Sequence, residues 1–330
     1  MTPTVSIVLP TYNRAHLLPR ALDSIVAQTF GDWEILVVDD GSTDSTDEVV
    51  HAYSRDLGER LRYIRQSHTG CCAARNRGID AARGEFVAFL DSDDEFLPTK
   101  LARQIELFRL CPELSLAYSD YSCVDLAGRR FGSVFDTKCP TGRRVAFEEV
   151  SPGLCVCHDA FERLLDGYFI ATITGLVRRE TLGSRIRFMP DPAYAEEWLF
   201  YAEIAKDRGV GFINEPLSLH HFTGGSISRS DPSINTAGLR RTLLEMRRRL
   251  SPLPFAQSRA LRRHLAVANR QLGYESLRNG ESLKALARFV EAFWCTPSRS
   301  NAGGVLSALL SAVKPMGPRH DGPRKLEATP

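Results

Sequence analysis

The sequence lacks the long apolar runs that would carry a chain across a membrane. Its longest late apolar stretch, Ala302–Val313, contains two glycines and falls short of the roughly 20 residues that a spanning helix needs. The first residues, MTPTVSIVLPTYNR, enter a strand pattern without a basic segment, an apolar core and a cleavage site. We therefore expect a cytoplasmic protein, soluble or peripheral at the inner face of the membrane.

Neither its cysteines nor its net charge assigns the chain to a special class. Eight cysteines in 330 residues do not form the dense spacing of a secreted disulfide scaffold, so a reducing compartment is the simpler interpretation. The 42 basic and 40 acidic residues give a net charge of +2, and we expect no nucleic-acid partner. The 43% hydrophobic content supports a substantial core.

Several ligand-binding signatures are also missing. No G-x-G-x-x-G follows an early strand and there is no Walker sequence. The acidic stretch around residue 91 lacks the central glycine and the distal ligand of an EF-hand loop. Cys155, Cys157 and His158 form a CVCH segment, but structural zinc sites usually need further spaced ligands, so we expect unliganded thiols.

Short apolar runs and helical stretches alternate through the first hundred residues. The runs, rich in β-forming residues, are Val5–Leu9, Glu34–Val38, Leu61–Ile64 and Phe86–Leu90. The alternation predicts an α/β fold with a mostly parallel, Rossmann-like sheet flanked by helices. Ligands of such sheets bind beyond the carboxyl ends of the strands.

Later segments have weaker patterns. We expect strands in LSLAYSD and FIATITGLVRR, a helix in EEWLFYAEIAKDR, and two strands separated by a turn at Pro216. Three helices are expected beyond residue 237, the last two joined at Asn279 and Gly280.

These patterns divide the chain into three parts. We predict a main domain over residues 1–230 and a C-terminal helical appendage over residues 231–313. Residues 314–330, rich in proline, glycine and basic side chains, are expected to be disordered.

Polar segments follow the carboxyl ends of the four early strands. They are PTYN (10–13), DDGSTD (39–44), QSHTG (66–70) and DSDD (91–94), and we expect them along one edge of the sheet. Asp91 and Asp93 can point to the same side and would suit a hard divalent cation that also binds substrate phosphates. An isolated D-x-D would more simply be a solvated turn, but the second acidic strand end, Asp39 and Asp40, favours a metal site.

The ordered series P-T-Y-N, D-D-G-S, A-R-N-x-G and L-D-S-D-D, followed by AEEWLFYAEIAKD, closely resembles the inverting glycosyltransferases of family 2. The resemblance covers roughly residues 4–230 and implies the GT-A nucleotide-diphospho-sugar transferase fold. It also implies Mn²⁺ or Mg²⁺, a UDP-sugar donor, and a hydroxyl acceptor on a glycan or lipid-linked glycan. Bacterial cell-envelope polysaccharide biosynthesis is the setting that it suggests.

The resemblance implies a role for each residue at a matching motif position. The donor-binding residues would be Pro10, Tyr12, Asp40, Arg75, Asp91 and Ser92, with Asp93 as the metal ligand and Glu197 as the catalytic base. Simpler alternatives remain: Tyr12 could pack, Asp40 could cap its turn, and Arg75 could pair with a surface acid.

Two positions depart from the family pattern. The family base is the Asp of an E-D-W type motif, whereas Glu197 moves the carboxylate by about one methylene, a scale at which misplacement costs rate. Glu196 stays a rival base, and two acids also simply favour a helix N-terminus. Thr223 stands where many relatives have a histidine, which leaves His221 as a candidate ligand. Asp94, next to the expected metal ligand Asp93, is a further possible site residue.

The C-terminal helices offer two further expectations. Arginines 240, 241, 247, 248 and 249 could contact a membrane surface or an anionic acceptor, although a solvated helix face is commoner. Arg259–Trp294 resembles one tetratricopeptide-type hairpin, which cannot bury its own face and should dock on the main domain or on a partner.

Two other functions are alternatives to sugar transfer. A sugar-phosphate nucleotidyltransferase needs a glycine-rich loop after the first strand, where this chain has PTYNRAH. A catalytically silent nucleotide-sugar binder or scaffold of polysaccharide assembly remains open, because Glu197 and Thr223 depart from the family pattern.

Overall fold

The computed structural model describes residues 2–133, 145–189, 194–206, 208–223 and 232–313. Its strands are β1 (Val5–Thr11), β2 (Trp33–Asp39), β3 (Leu61–Arg65), β4 (Phe86–Phe89), β5 (Glu95–Phe96), β6 (Leu114–Val124), β7 (Arg130–Ser133), β8 (Phe147–Ser151), β9 (Leu154–Cys157), β10 (Leu176–Arg178) and β11 (Gly209–His221). Its helices are α1 (Leu18–Val26), α2 (Thr46–Leu57), α3 (Cys71–Ala81), α4 (Lys100–Leu110), α5 (Ala160–Asp166), α6 (Arg179–Leu182), α7 (Glu196–Ala205), α8 (Pro232–Arg249), α9 (Phe255–Arg278), α10 (Ser282–Cys295) and α11 (Arg299–Val313).

The strands form one mixed sheet in the order β3-β2-β1-β4-β10-β6-β11-β9-β8, with β5 paired to β11 and β7 to β6. The first four strands run parallel, as predicted. Thr11 of β1 is level with Asp39 of β2, and Asp39 is level with Arg65 of β3, so their carboxyl ends reach the same edge. The predicted α/β fold is thereby confirmed.

The second half of the sheet corrects two expectations. Gly209–His221 is one strand rather than two, because register shifts on both sides of Pro216 absorb the residue that cannot donate a backbone hydrogen bond. In FIATITGLVRR, only Leu176–Arg178 forms a strand, and Thr172–Thr174 is a short 3-10 turn. Strand β10 runs antiparallel to both of its neighbours, β4 and β6.

Helix α3 lies close to β1 because of one glycine. A Cβ atom on Gly78 would collide with the side chain of Val8 in the centre of β1. This close approach brings Arg75, one turn earlier on α3, towards the carboxyl ends of the strands. The glycine of the A-R-N-x-G motif thus has a packing role that positions the arginine.

The chain divides into two compact units, Met1–Leu261 and Arg262–Pro330. Helix α8 belongs to the first unit, where Thr242 Oγ1 donates to the carbonyl oxygen of Tyr194 at 3.0 Å and Arg249 pairs with Glu203 at 3.3 Å. Both Arg248 and Arg249 also pair with Glu245 of their own helix.

In the second unit, the predicted hairpin is present and has a third helix. Helix α9 ends at Arg278 and α10 begins at Ser282, with Gly280 at a φ of +75° in the turn. Helix α11 lies within the predicted helical appendage but adds to the three helices expected there, and Phe289 of α10 and Ala308 of α11 belong to one buried apolar cluster. The predicted disordered tail, residues 314–330, lies outside the described residues. None of the described helices has the length and apolar character needed to cross a bilayer.

Candidate functional site

The polar segments after β1, β2 and β3 are joined by hydrogen bonds at one edge of the sheet. The amide of Asp40 donates to the carbonyl oxygen of Thr11 at 2.9 Å, and the amide of Thr43 donates to Asn13 Oδ1 at 2.7 Å. The amide of Gln66 donates to the carbonyl oxygen of Asp39 at 2.9 Å. The sequence prediction of a common edge is therefore confirmed.

Tyr12 and His68 form an aromatic platform at this edge. Their ring centroids lie 4.1 Å apart in a stacked arrangement, and Tyr12 is 41% exposed. Tyr12 therefore packs against His68, as its simpler alternative has it, and remains partly exposed; its contact with a nucleotide base stays a prediction. Pro10 is buried in β1, two residues before Tyr12, and level with Val38 of β2.

Asp40 is buried and holds the loop that carries His68. Its carboxylate accepts hydrogen bonds from the amides of Thr69 at 2.9 Å and Gly70 at 2.8 Å, and from Gln66 Nε2 at 2.8 Å. Burial alone would raise the pKa of Asp40, but these hydrogen bonds outweigh it and lower the pKa. Asp40 is thereby kept ionised and shapes the 66–70 loop, and its contact with a base stays a prediction.

Arg75 joins the end of β4 to the start of α7. It is 5% exposed, donates to Asp91 Oδ1 at 2.8 Å and to Glu196 Oε1 at 3.1 Å, and lies over the ring of Phe188. Asp91 and Glu196 are far apart in the sequence, so this buried arginine brings two halves of the site together. Arg75 therefore does not pair with a surface acid, as its simpler alternative proposed.

Asp93 is held by a second arginine. Arg14, the residue after the P-T-Y-N motif, donates to Asp93 Oδ2, and Arg20 Nη2 donates to the carbonyl oxygen of Asp93 at 2.5 Å. Thr223 Oγ1 also donates to Asp93 Oδ2, at 3.1 Å. The residue in the histidine position of the family thus lies beside the predicted metal ligand. Ser92 is buried between the two acids.

Asp94 ties β4 to the end of β11. It is 1% exposed, lies 3.1 Å from His220 Nδ1, and accepts from the amide of His221 at 2.9 Å. Burial raises its pKa to about 6, although the hydrogen bond from His220 opposes the shift. The ring of His221 instead meets Glu95, with Nε2 2.6 Å from Oε1. These contacts give Asp94 a structural role, while a ligand role for His221 stays a prediction.

Asp93 is the acid of this edge that fits a cation in part. The described residues include no group of three or more His, Cys, Asp or Glu side chains arranged to bind a metal ion. Within the described part of the chain, Asp93 Oδ1 accepts no hydrogen bond, and the side chain of Asp93 remains 14% exposed. One free carboxylate oxygen fits Mg²⁺ or Mn²⁺, which take most of their ligands from water and phosphates.

The two acids at the start of α7 have different environments. Glu196 pairs with Arg75, whereas Glu197 Oε1 accepts a hydrogen bond from Tyr168 Oη at 2.8 Å. Loss of hydration, followed by the negative charge of Glu196, raises the pKa of Glu197 to about 7. A carboxylate of that pKa suits a general base near neutral pH, so Glu197 fits the predicted role better than Glu196.

Sequence reasoning missed Arg14, His68 and Tyr168 as members of this site. His68 belongs to the polar segment 66–70 and Arg14 directly follows the segment 10–13, so the sequence pattern already indicates that both lie at this edge. Tyr168 follows α5 in a region without a motif, and only the three-dimensional packing brings it to Glu197.

Comparisons with known proteins agree with the motif series. Residues 6–124 match the family model described as Glycosyl transferase family 2. An uncharacterised glycosyltransferase of Rickettsia felis is 30% identical over 237 residues, which are 71% of this chain and 36% of that protein. The chain thus spans about a third of the length of the first curated relatives it matches.

Two solved structures have the same fold. Staphylococcus aureus TarS in complex with UDP-GlcNAc has a TM-score of 0.64 and 20% identity, covering 92% of this chain and 88% of that one. The mannosyltransferase PcManGT of Pyrobaculum calidifontis, with GDP-Man and Mn²⁺, has a TM-score of 0.58 and 20% identity, covering 95% and 81%. The family model and the curated relatives lead to one conclusion: residues 6–124 of the chain belong to a domain of glycosyltransferase family 2.

Proposed function

We propose that this protein transfers a sugar from a nucleotide-diphosphate donor, a UDP-sugar, to a hydroxyl of a glycan or lipid-linked glycan, with inversion at the anomeric carbon. The division of labour between Glu196 and Glu197 carries the proposal. Arg75 pairs with Glu196, whereas burial and the charge of Glu196 raise the pKa of Glu197 to about 7. The solved relatives with UDP-GlcNAc and GDP-Man support a nucleotide-sugar donor.

In this proposal, Glu197 acts on the acceptor. Its carboxylate takes the proton of the attacking hydroxyl, while the nucleoside diphosphate leaves from the opposite face of the sugar. A single displacement of this kind inverts the anomeric carbon. A pKa of about 7 leaves an ionised fraction at neutral pH together with useful basicity.

The other edge residues bind the donor. Tyr12 offers its exposed face to the nucleotide base, and Arg75 and Asp91 lie where the ribose and diphosphate would be held. Asp93 would hold Mn²⁺ or Mg²⁺ through its free oxygen. When bound, that ion would neutralise the charge of the leaving diphosphate.

The test is Glu197→Gln, which removes the base but keeps the shape of the side chain. Transfer to a glycan acceptor should fall by about a hundredfold or more, because general base catalysis contributes roughly 10²- to 10⁴-fold. UDP binding, measured by calorimetry, should be unchanged. Glu203→Gln, on the same helix but paired with Arg249, is the matched control and should keep full activity. Full activity of Glu197→Gln would overturn the assignment.

A catalytically silent nucleotide-sugar binder is the second candidate. The pairing of Arg14 with Asp93 favours it, because a cation of the chain already neutralises the predicted metal ligand. Calorimetry with UDP and Mn²⁺, followed by a screen of nucleotide sugars for transfer and for slow donor hydrolysis, separates the two. Binding without either reaction would support the silent binder.

Two aspects of the cellular setting belong to the same proposal. We place the enzyme in the cytoplasm, in cell-envelope polysaccharide biosynthesis, with peripheral contact to the inner membrane face through the arginines of α8. Glu245 already pairs with Arg248 and Arg249, which weakens that contact. Cosedimentation with anionic vesicles would measure it.

A further inference from the structure

We propose that Tyr168 is a positioning residue, which fixes the longer Glu197 side chain so that one carboxylate oxygen faces the acceptor hydroxyl. This inference rests on the proposed function, because it assumes that Glu197 is the base. It concerns the residue by which this chain departs from the Asp of the family motif.

The segment between Leu164 and Thr172 is hydrogen-bonded at two points to the first turns of α7. Trp198 Nε1 donates to the carbonyl oxygen of Leu164, and Tyr201 Oη donates to the carbonyl oxygen of Thr172 at 3.1 Å. Tyr168 lies between these two anchors and donates to Glu197 at 2.8 Å. The position of its hydroxyl relative to α7 is thus set from both sides.

The backbone around Tyr168 is equally constrained. The next two residues, Phe169 and Ile170, are buried, at 4% and 0% exposure. Tyr168 as a residue is 36% exposed, so it stays partly open to solvent while its hydroxyl donates to Glu197. Such a residue can orient a neighbour without being sealed away from an incoming acceptor.

A glutamate base needs this support more than an aspartate base does. The additional rotatable bond gives Glu197 more conformations, and ordering such a side chain costs up to about 2 kcal/mol of entropy. Misplacement of a reacting group by about 1 Å can lower the rate about a hundredfold. The hydrogen bond from Tyr168 uses Oε1 and leaves Oε2 for the proton of the acceptor.

The same hydrogen bond acts on the ionisation of the base. The titratable groups that face Glu197 are Glu196 on its own helix, Arg75 of α3, Tyr201 one turn further on, and Tyr168. Burial and Glu196 raise the pKa of Glu197, whereas the hydroxyl of Tyr168 and the charge of Arg75 lower it. Removal of the hydroxyl should therefore raise this pKa further and leave less of the base ionised at neutral pH.

The experiment compares Tyr168→Phe and Tyr168→Leu with the wild type over pH 5.5–9. We expect kcat to fall by about tenfold or more, as the loss of a hydrogen bond to a charged group does, with little change in the KM of the donor. The acid limb of the pH profile should move to higher pH in both variants. In the Glu197→Gln background, Tyr168→Phe should have no further effect on the rate. Tyr53→Phe, which removes a hydroxyl bonded to Asp23 instead, is the control and should change neither quantity.

The outcomes separate this inference from the proposed function. If Glu197→Gln retains transfer, the base assignment itself fails. If Glu197→Gln abolishes transfer but neither Tyr168 variant moves the rate or the acid limb, only the role of Tyr168 is overturned. UDP binding by calorimetry reports that the donor edge is folded in each variant, so a general loss of structure is not mistaken for a lost orientation.

Discussion

The two halves of the sheet build the site in different ways. In β1–β4, the acids follow directly from strand ends, and arginines of the same chain neutralise them, as Arg75 does for Asp91 and Arg14 does for Asp93. In the second half, the base comes from the start of α7 and is held by a tyrosine instead of a cation. The ion pairs of the first half can therefore open to bind a charged donor, whereas the second half keeps a carboxylate, Glu197, with a raised pKa.

The largest effect should come from a substitution of Asp93, in the first half of the sheet. Asp93→Ala removes the predicted metal ligand and leaves Arg14 without its partner. We expect sugar transfer to fall by at least about a hundredfold, the scale of a lost transition-state charge interaction. Initial rates with Mn²⁺ and a UDP-sugar measure the effect. Activity within threefold of the wild type would show that Asp93 does not serve the donor.

Arg75 connects the halves, so its loss should affect both activity and stability. Arg75→Gln leaves Asp91 and Glu196 as unpaired acids. We expect the free energy of unfolding to fall by about 2–4 kcal/mol, less than for a completely buried pair because both acids reach water. Urea denaturation measures this change. Arg187→Gln breaks an exposed pair with Asp80 and should cost under about 1 kcal/mol; equal losses in the two variants would contradict the bridging role.

The base in the second half should appear in the pH dependence of the reaction. Since the pKa of Glu197 is raised to about 7, kcat/KM should rise about tenfold per pH unit below that value and level off above it. Stability should follow the opposite sign. The folded state binds the extra proton between pH 4.5 and 7, so the contribution of Glu197 to stability falls as pH rises through that window.

A comparison of denaturation midpoints checks that sign. Glu197→Gln should be more stable than the wild type at pH 8, and the difference should shrink towards pH 4.5. A constant difference across this range would contradict the raised pKa.

The smallest effect should come from a substitution of Arg14, the cation that pairs with Asp93 in the first half of the sheet. Arg14→Ala removes the positive charge from Asp93 Oδ2 and leaves only the hydroxyl of Thr223 on that oxygen, so Mn²⁺ should bind the protein a few-fold more tightly in the absence of donor. Electron paramagnetic resonance of free Mn²⁺ measures this affinity without any turnover. Arg65→Ala, whose side chain pairs with Asp39 at 3.9 Å, is the control and should leave Mn²⁺ binding unchanged. Weaker binding by Arg14→Ala would show that Arg14 does not compete with the ion.

The same contrast explains what could be predicted. The parallel strands, their apolar runs and the polar segments at their ends follow from local pattern and a general rule of α/β sheets. The course of Gly209–His221 was mispredicted because Pro216 usually ends a strand, whereas the bulges here accommodate it.

Side-chain pairs between distant segments could not be predicted from the sequence. Arg75 meets Glu196 and Tyr168 meets Glu197 only after α3, α5 and α7 have packed. Neither pair has a fixed spacing along the chain, so no sequence motif predicts it. The site residues that belong to sequence motifs were therefore predicted, whereas the contacts that orient them were not.

A crystal structure of the protein with UDP and Mn²⁺ tests the central claim most directly. We predict that the uracil base of UDP lies against Tyr12 and that the ion lies between the diphosphate and Asp93. Arg14 should no longer contact Asp93 Oδ2. An ion or nucleotide bound elsewhere, with Arg14 still on Asp93, would contradict the donor site described above.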